Sequence, residues 1–597
     1  MCAGKHRLRM RSLLCLFAGG ALGLATGVMA APSAADAEFE TLARVFIEDY
    51  LGMNPEEATQ VGDHRFDDRL SDFSPSSIAA QVDLLGRYRI ELENIDARGL
   101  TGANRIDAQI LALQIDSMLF QLTEERPHEW NPLAYNGSLA NAIYSFVARE
   151  FAPAEQRLRN AAQRLAALPR VIAQIKANLK NPPRIHTETA IQQTQGAINL
   201  IRSGLEPLLE QAPGMRTQFA PMQEKAIAAL TGYKEWLEKD LLPRANGEFR
   251  IGAERFRKKL RFALDSEMSP EEILARAERE LVSTTEELRA TARPLYEKYF
   301  PGTRGLPAAH STDAAGMSAA PGKTIKAVFD KLAENAPTDE TVVARAREIT
   351  TGATAFTREH DLVTVPNTPL KIIVLPEFQR GVAVAYCDPP GALEPEGETY
   401  FKVSPTPAHW TPERKLSFYR EYNDYMLHDL CVHEAMPGHY LQFAHANRFK
   451  APTLVRAIWW SGTFVEGWAV YAERVMAEAG FGGPEVKMQQ LKMRLRMLIN
   501  AILDNKVHTA GMTEKEAMDL MTQRGFQEEG EAAGKWRRAC QSSTQLSTYF
   551  VGAIEHDDMR AAAEEKAGAA FDLKRYHDTV LSFGSPAVKY VREEMGL

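Results

Sequence analysis

The sequence predicts a mainly α protein: a large two-lobed helical fold with one small β-sheet. Three observations predict it. From Ala35 to about Tyr299, Leu, Ala and Ile recur at three-to-four spacing with few β-branched runs. Only one stretch, Leu370 to Val403, reads as short strands separated by Pro- and Gly-containing turns. The last third is helical again and carries a cluster of His and Glu.

In chain order, Lys5, Arg7, Arg9 and Arg11 precede an apolar run from Leu13 to Ala31, and Val28-Met29-Ala30 has the small-x-small pattern of a cleavage site. Residues 1–30 are therefore expected to be a secretory signal peptide, cleaved near Ala30, and the mature product to be exported, periplasmic or secreted. Cys15 follows Leu14, where a lipobox wants a small residue, so the reading is export and not lipidation. Removing this segment leaves 66 basic against 78 acidic side chains, a net charge of −12 with His neutral. An acidic chain without a basic run is a poor nucleic-acid binder. No later stretch is apolar and long enough to span a bilayer, so no stable membrane insertion is expected after cleavage. Cys387, Cys431 and Cys540 are too few for a disulfide framework, and Cys431 is expected to be a small core residue.

About 565 mature residues exceed one typical domain. Residues 31–300 are expected to form an N-terminal helical lobe, with helices such as Arg157–Lys176 and Ser269–Tyr299. The latter opens on a serine cap with Pro270 at the first helical position. Residues 301–323, rich in Gly, Ala, Ser and Pro, read as a flexible insert. Residues 324–405 read as helix followed by strands at Leu370–Leu375, Val382–Tyr386 and Thr399–Val403. A strand edge there could pair with an extended peptide. Residues 406–597 read as a zinc-binding helical lobe, with one long helix from Thr411 to His433 and others at Val455–Ala479, Lys487–Lys506, Thr513–Arg524 and Gln545–Lys566.

The chemistry concentrates in His433-Glu434-Ala435-Met436-Pro437-Gly438-His439 and, downstream, Glu466-Gly-Trp-Ala-Val-Tyr-Ala-Glu473. A catalytic zinc takes three protein ligands, keeps one position open for water, and needs a nearby base. Histidines six apart on a continuous helix would point about 120° apart. Pro437 breaks that helix, because its ring collides with the carbonyl four residues back. Gly438 is expected to adopt backbone angles that other residues avoid. The break would swing His439 back toward His433. Glu466 lies in an otherwise apolar helix, where a buried carboxylate needs a cation or hydrogen-bond donors. His433, His439 and Glu466 are thus the expected metal ligands and Glu434 the general base. Glu473 is a further acid beside the centre or an alternative ligand; Asp429, one turn before His433, is a candidate acceptor for an imidazole N–H. His428 and His445 are read as non-ligating.

These motifs resemble those of the bacterial domain-of-unknown-function family 885, a family predicted to be exported zinc peptidases with a His-Glu-x-x-Pro-Gly-His motif. The similarity spans nearly the whole mature chain: Asn54-Pro55-Glu56-Glu57-Ala58-Thr59 and Val61-Gly62-Asp63-His64 at the start, His433–Gln442 and Glu466–Glu473 centrally, Phe571–Asp578 and Gly584-Ser585-Pro586 at the end. The resemblance implies that His433, His439 and Glu466 bind zinc and that Glu434 is the base. More distantly, Phe464-Val465-Glu466 with Glu473 is similar to the third-ligand helix of thimet-oligopeptidase-like enzymes. Tyr549-Phe550-Val551 is similar to the segment of angiotensin-converting-enzyme-like peptidases that supplies a tyrosine to the tetrahedral intermediate. Both imply a deep cleft between helical lobes. Ser543-Thr544-Gln545 departs from the family's Pro-Gly-Gln. The family's arginine-rich helix reads Leu498–Asp504 here, although Asp504 and His508 are kept.

The expected activity is hydrolysis of a peptide bond by zinc-activated water, with Tyr549 facing the oxyanion and His577 and His508 as further donors. Arg538 is a candidate for a substrate carboxylate or a surface ion pair. Two rival readings are a zinc hydrolase acting on a non-peptide amide or ester, and a non-catalytic exported binding protein with a structural zinc.

Overall fold

A computed structural model of the chain describes residues 33–302, 319–375 and 385–597. The expected signal peptide, most of the expected insert, and the start of the expected strand Val382–Tyr386 lie outside the described residues. The fold is mainly α with a small three-stranded sheet. No helix among the described residues is long and apolar enough to cross a membrane.

The N-terminal helices include α1 (Ala34–Met53), α2 (Gly102–Phe120), α3 (Ala154–Asn178), α4 (Arg184–Asn199) and α5 (Arg216–Trp236), followed by α6 (Ala253–Leu264) and α7 (Pro270–Tyr299). The α7 cap forms as the sequence indicates: Ser269 Oγ accepts from the Glu272 N–H at 3.2 Å, and the Glu272 carboxylate accepts from the Ser269 N–H at 2.8 Å. Ile273, Ala277, Leu281 and Leu288 then form one buried stripe.

Residues 31–300 do not pack as one lobe. The region from Tyr135 to Leu241 has its own core. α1 and α2, by contrast, share a core with Val455, Ile458, Ala587 and Tyr590, far along the chain. α6 and α7 pack with α8 (Ala319–Leu332) and with C-terminal helices. An apolar stripe shows that a helix face is buried but not which partner buries it. α8 also takes up the last residues of the expected insert.

α9 (Val342–Glu359) leads into β1 (Leu370–Val374), β2 (Ala385–Asp388) and β3 (Thr399–Val403). The order is β1-β3-β2, with β1 parallel and β2 antiparallel to the central β3. Phe401 and Val403 of β3 are fully buried against α9 and the metal-motif helices. β2 is an edge strand among the described residues.

The expected helix from Thr411 to His433 is two helices, α10 (Pro412–Glu421) and α11 (Asp424–Glu434). Asn423 interrupts it: its side-chain oxygen accepts from the N–H groups of Tyr425 (3.2 Å) and Met426 (3.3 Å), starting a new helix. α12 (His439–Ala446) and α13 (Val455–Ile458) follow. The expected helix Val455–Ala479 is likewise split, because Ser461 caps α14 (Gly462–Glu478) by accepting from the Phe464 N–H. α15 (Gly483–Thr509), α16 (Glu529–Gln541), α17 (Ser547–Ala567), α18 (Leu573–Val580) and α19 (Val588–Glu594) complete the C-terminal part.

Candidate metal centre

α11 stops at Glu434, and the next five residues reverse onto its own end. The N–H groups of Ala435 and Met436 both reach the Cys431 carbonyl, at 3.0 and 3.1 Å, and the Gly438 N–H reaches the Val432 carbonyl at 2.9 Å. Pro437 has no N–H to satisfy, and its carbonyl accepts from the Trp468 indole at 2.9 Å. Gly438, at φ −75° and ψ −131°, is required for space. A Cβ there would lie 1.9 Å from the His433 carbonyl oxygen and 2.3 Å from that of Val432.

The reversal brings the His433 and His439 rings to 4.7 Å between centroids, at 86° to each other. Glu466 on α14 completes the group. Its Oε2 lies 3.6 Å from His433 Nε2 and 3.4 Å from His439 Nε2. One ligand atom from each residue fits within a mutual 4.8 Å, the one such group of His, Cys, Asp and Glu among the described residues. α14 lies close against α17: a Cβ on Gly467 would be 2.3 Å from the Gly552 backbone, so two glycines permit the contact.

The surroundings orient this group. His433 Nδ1–H donates to Glu473 Oε1 at 2.6 Å, which leaves Nε2 with its lone pair turned inward. Asp429 does not take this proton. It is buried, and burial together with the Glu473 carboxylate pushes its carboxyl well above the usual range. Burial pushes the His433 imidazole down, but Glu466 and Glu473 outweigh it and hold it well above its ordinary value. Burial would raise Glu466, yet its contacts with both imidazoles keep it well below. His439 Nδ1 is buried without a partner. Two imidazoles and a carboxylate around one point in a buried pocket match the donor set of a catalytic zinc site. Glu434 is buried beside them, and burial raises its carboxyl. Its Oε2 accepts from the Cys387 N–H of β2 at 2.9 Å, a partner that no sequence signal indicates.

The other residues singled out from sequence make contacts of their own. His577 has both ring nitrogens engaged: Nδ1 donates to the Leu362 carbonyl and Nε2 accepts from the Tyr471 hydroxyl, both at 2.7 Å. His508 Nε2 donates toward the carbonyls of Ala539 (3.0 Å) and Ser542 (2.8 Å). Asp504 caps α17, accepting from the N–H groups of Thr544 and Ser547. Both histidines, expected as further donors, thus contact backbone carbonyls in this structure. Tyr549 sits on α17, and its hydroxyl lies 3.3 Å from Arg538 Nη2 and 3.4 Å from Gln545 Nε2. Arg538 also donates to Gln545 Oε1 at 2.7 Å and forms no surface ion pair. Cys431 is fully buried in the core, as expected. His428 and His445 bond to backbone carbonyls of Asp424 and Thr364.

Comparison with known proteins adds a family and a fold, and no activity. Residues 55–595 match the family described as bacterial protein of unknown function (DUF885), and the chain belongs to that family. A "putative lipoprotein of unknown function" from Shewanella oneidensis is 30% identical, with a TM-score of 0.78 over 94% of this chain and 100% of that one. A "putative lipoprotein" from Colwellia psychrerythraea, 17% identical, has the same fold, with a TM-score of 0.76 over 94% of this chain and 99% of its own. No curated protein matches the chain.

Proposed function

We propose that this chain is an exported zinc-dependent hydrolase that cleaves peptide bonds. The observation that carries this reading is the convergence of His433, His439 and Glu466 on one point beside the buried carboxyl of Glu434. His433, His439 and Glu466 would hold the zinc, which when bound supplies a Lewis acid and a water of pKa lowered to about 7. Glu473 keeps the His433 tautomer whose Nε2 can act as a ligand. Glu434 takes the water's proton and delivers it to the leaving amine; a carboxyl raised by burial is suited to both steps. The Cys387 N–H fixes its Oε2, so the carboxyl plane is set before substrate arrives.

A peptide substrate is favoured by the sheet. The Cys387 N–H points away from β3 toward Glu434, so the outer edge of β2 borders the pocket. An extended backbone lying along that edge would present its carbonyl beside the base. Export is proposed from residues 1–30.

The test uses purified mature protein and a mixture of quenched peptides, with zinc measured by mass spectrometry. Wild type should cleave, and a chelator should abolish cleavage. Glu434→Gln should retain stoichiometric zinc and lose about 10²- to 10⁴-fold in kcat. Undiminished turnover in that variant removes the base, and a wild-type protein that binds no zinc sinks the reading.

A further inference from the structure

Beyond the metal centre, four cations gather on two neighbouring C-terminal helices: Lys492 and Arg496 on α15, and Lys535 and Arg538 on α16. Glu421, at the end of α10, is buried and saturated. Its Oε2 accepts from Lys492 Nζ at 2.9 Å and from the Glu528 N–H at 3.2 Å, and its Oε1 accepts from Arg496. Arg496, itself 5% exposed, has a buried Nε without a partner. Its Nη1 lies 3.5 Å from the Tyr422 hydroxyl and 3.9 Å from Glu531. One turn after Glu531 on α16 comes Lys535, half-buried and with no ion pair or hydrogen bond among the described residues. Protein surroundings push the Lys535 ammonium down to about 7; Glu531 opposes this too weakly, and Arg538 and Arg496 add to it. Arg538 has no carboxylate partner either, only Gln545 and Tyr549. Around this point Lys492, Arg496, Lys535 and Arg538 have Glu421 and Glu531 as their carboxylate neighbours.

A cation held in protein without a counter-charge is costly, and the cost falls when an anion arrives. The place of this cluster says which anion. Arg496 is near enough to Asp429, behind His433, to act on its carboxyl. Arg538 touches Tyr549 on α17, the helix that packs through Gly552 onto Gly467, next to the ligand Glu466. The cluster thus lies one helix contact away from the metal ligands: Tyr549 precedes Gly552 by three residues on α17, and Gly552 touches Gly467 beside Glu466. Lys supplies a point charge and Arg a planar fork, a combination that matches a carboxylate.

Resting on the hydrolase reading above, we propose that Lys535 and Arg538, backed by Arg496 and Tyr422, bind the free C-terminal carboxylate of the substrate, so that cleavage occurs near C-terminal ends.

The experiment measures the Kd of one short peptide in three forms: free acid, C-terminal amide, and amide with Glu as the last residue. It uses zinc-loaded full-length mature protein carrying Glu434→Gln, so that nothing is turned over. The free acid should bind about 10- to 100-fold more tightly than the amide, the range expected for hydrogen bonds to a charged group. Lys535→Gln should erase this preference and Lys535→Arg should restore most of it, with zinc content unchanged. Arg538→Gln, at an exposed position, should weaken it and guards against a Lys535 variant that fails to fold. Equal affinity for acid and amide overturns the proposal; equal affinity for the acid and the Glu-terminated amide overturns its C-terminal part. Because binding is read without turnover, a wild-type protein that cleaves no peptide removes the hydrolase reading while the Kd values still decide the subsite. Cleavage of acid and amide with the same KM does the reverse.

Discussion

Helix α14 carries two clusters of the same residue types on opposite faces, and they have opposite characters. Glu466 and Glu473 look toward His433 and His439. Trp468 and Tyr471, about 200° around the helix from Glu466 in the first case, look toward His556 and His577. On the second face every strong hydrogen-bonding atom of His577 is used, and His556 Nε2 donates to the Phe464 carbonyl at 3.1 Å. On the first face the Nε2 atoms of two imidazoles converge on one carboxylate oxygen, at 3.6 and 3.4 Å. An imidazole in a core is therefore no sign of chemistry by itself. What marks a site is the lone pair left over after neighbouring groups have been satisfied.

The largest test of that distinction exchanges the two faces. Glu466→Ala should lose zinc in equilibrium dialysis, since it removes the carboxylate that lies against both imidazoles. His577→Ala should keep stoichiometric zinc but lose about 2–4 kcal/mol of stability, because Tyr471 and the Leu362 carbonyl are left buried without partners. A folded His577→Ala protein with an empty metal site would erase the division.

Acid provides the next effect. Burial, the largest cause, pushes the imidazoles of His556 and His577 down to about 4. Unfolding returns each toward about 6.5. Between those values the unfolded chain holds the extra proton, so each residue's contribution is present above pH 6.5 and is lost as pH falls toward 4. Without metal, His577→Gln should flatten the slope of unfolding free energy against pH in this window by about 1.4 kcal/mol per pH unit. An unchanged slope would mean that His577 is not held neutral by its surroundings.

Sequence made the metal face legible and the structural face opaque, for a physical reason. Pro437 and Gly438 carry their consequences in their own covalent structure, so a helix break beside His433 follows from composition alone. An acid at Glu466 among apolar neighbours likewise announces an unmet need. The saturation of His577 depends on a carbonyl 215 residues away, and the Nε2 contact of His508 on the α16–α17 turn. Nothing local encodes either. The same limit hid the Cys387 N–H on Glu434 and the Trp468 indole on Pro437. In the fold, helices and strands were read within a few residues. Asn423 and Ser461, both strong capping residues, were passed over inside long apolar patterns and split two expected helices. Nothing local indicates that α6 and α7 share a core with α15, on the far side of the expected insert.

A smaller effect comes from Glu473, which belongs to the metal face without being an expected ligand. Removing the acceptor of His433 Nδ1–H in Glu473→Ala frees the imidazole to rotate and to change tautomer. Zinc affinity should fall about 10- to 100-fold, with the site still able to fill at saturating metal. Loss of zinc at every concentration would promote Glu473 to a ligand. Unchanged affinity would leave the orientation of His433 to packing alone.

The smallest effect isolates one hydroxyl on the opposite face. Tyr471→Phe keeps the ring that lies against Trp468 and His577 and removes only the O–H donated to His577 Nε2. The Nδ1–H still holds the Leu362 carbonyl, so the imidazole stays in place with one bare acceptor. The cost should be about 1 kcal/mol, read as a shift of the urea midpoint at constant slope. His577 would then resemble His439, whose Nδ1 is already buried without a partner, but without any carboxylate or second imidazole converging on it. If the variant bound a second zinc, leftover lone pairs alone would suffice to make a site. If it binds only the first, convergence is the further requirement that the His433–His439–Glu466 group meets and the Trp468–His577 face does not.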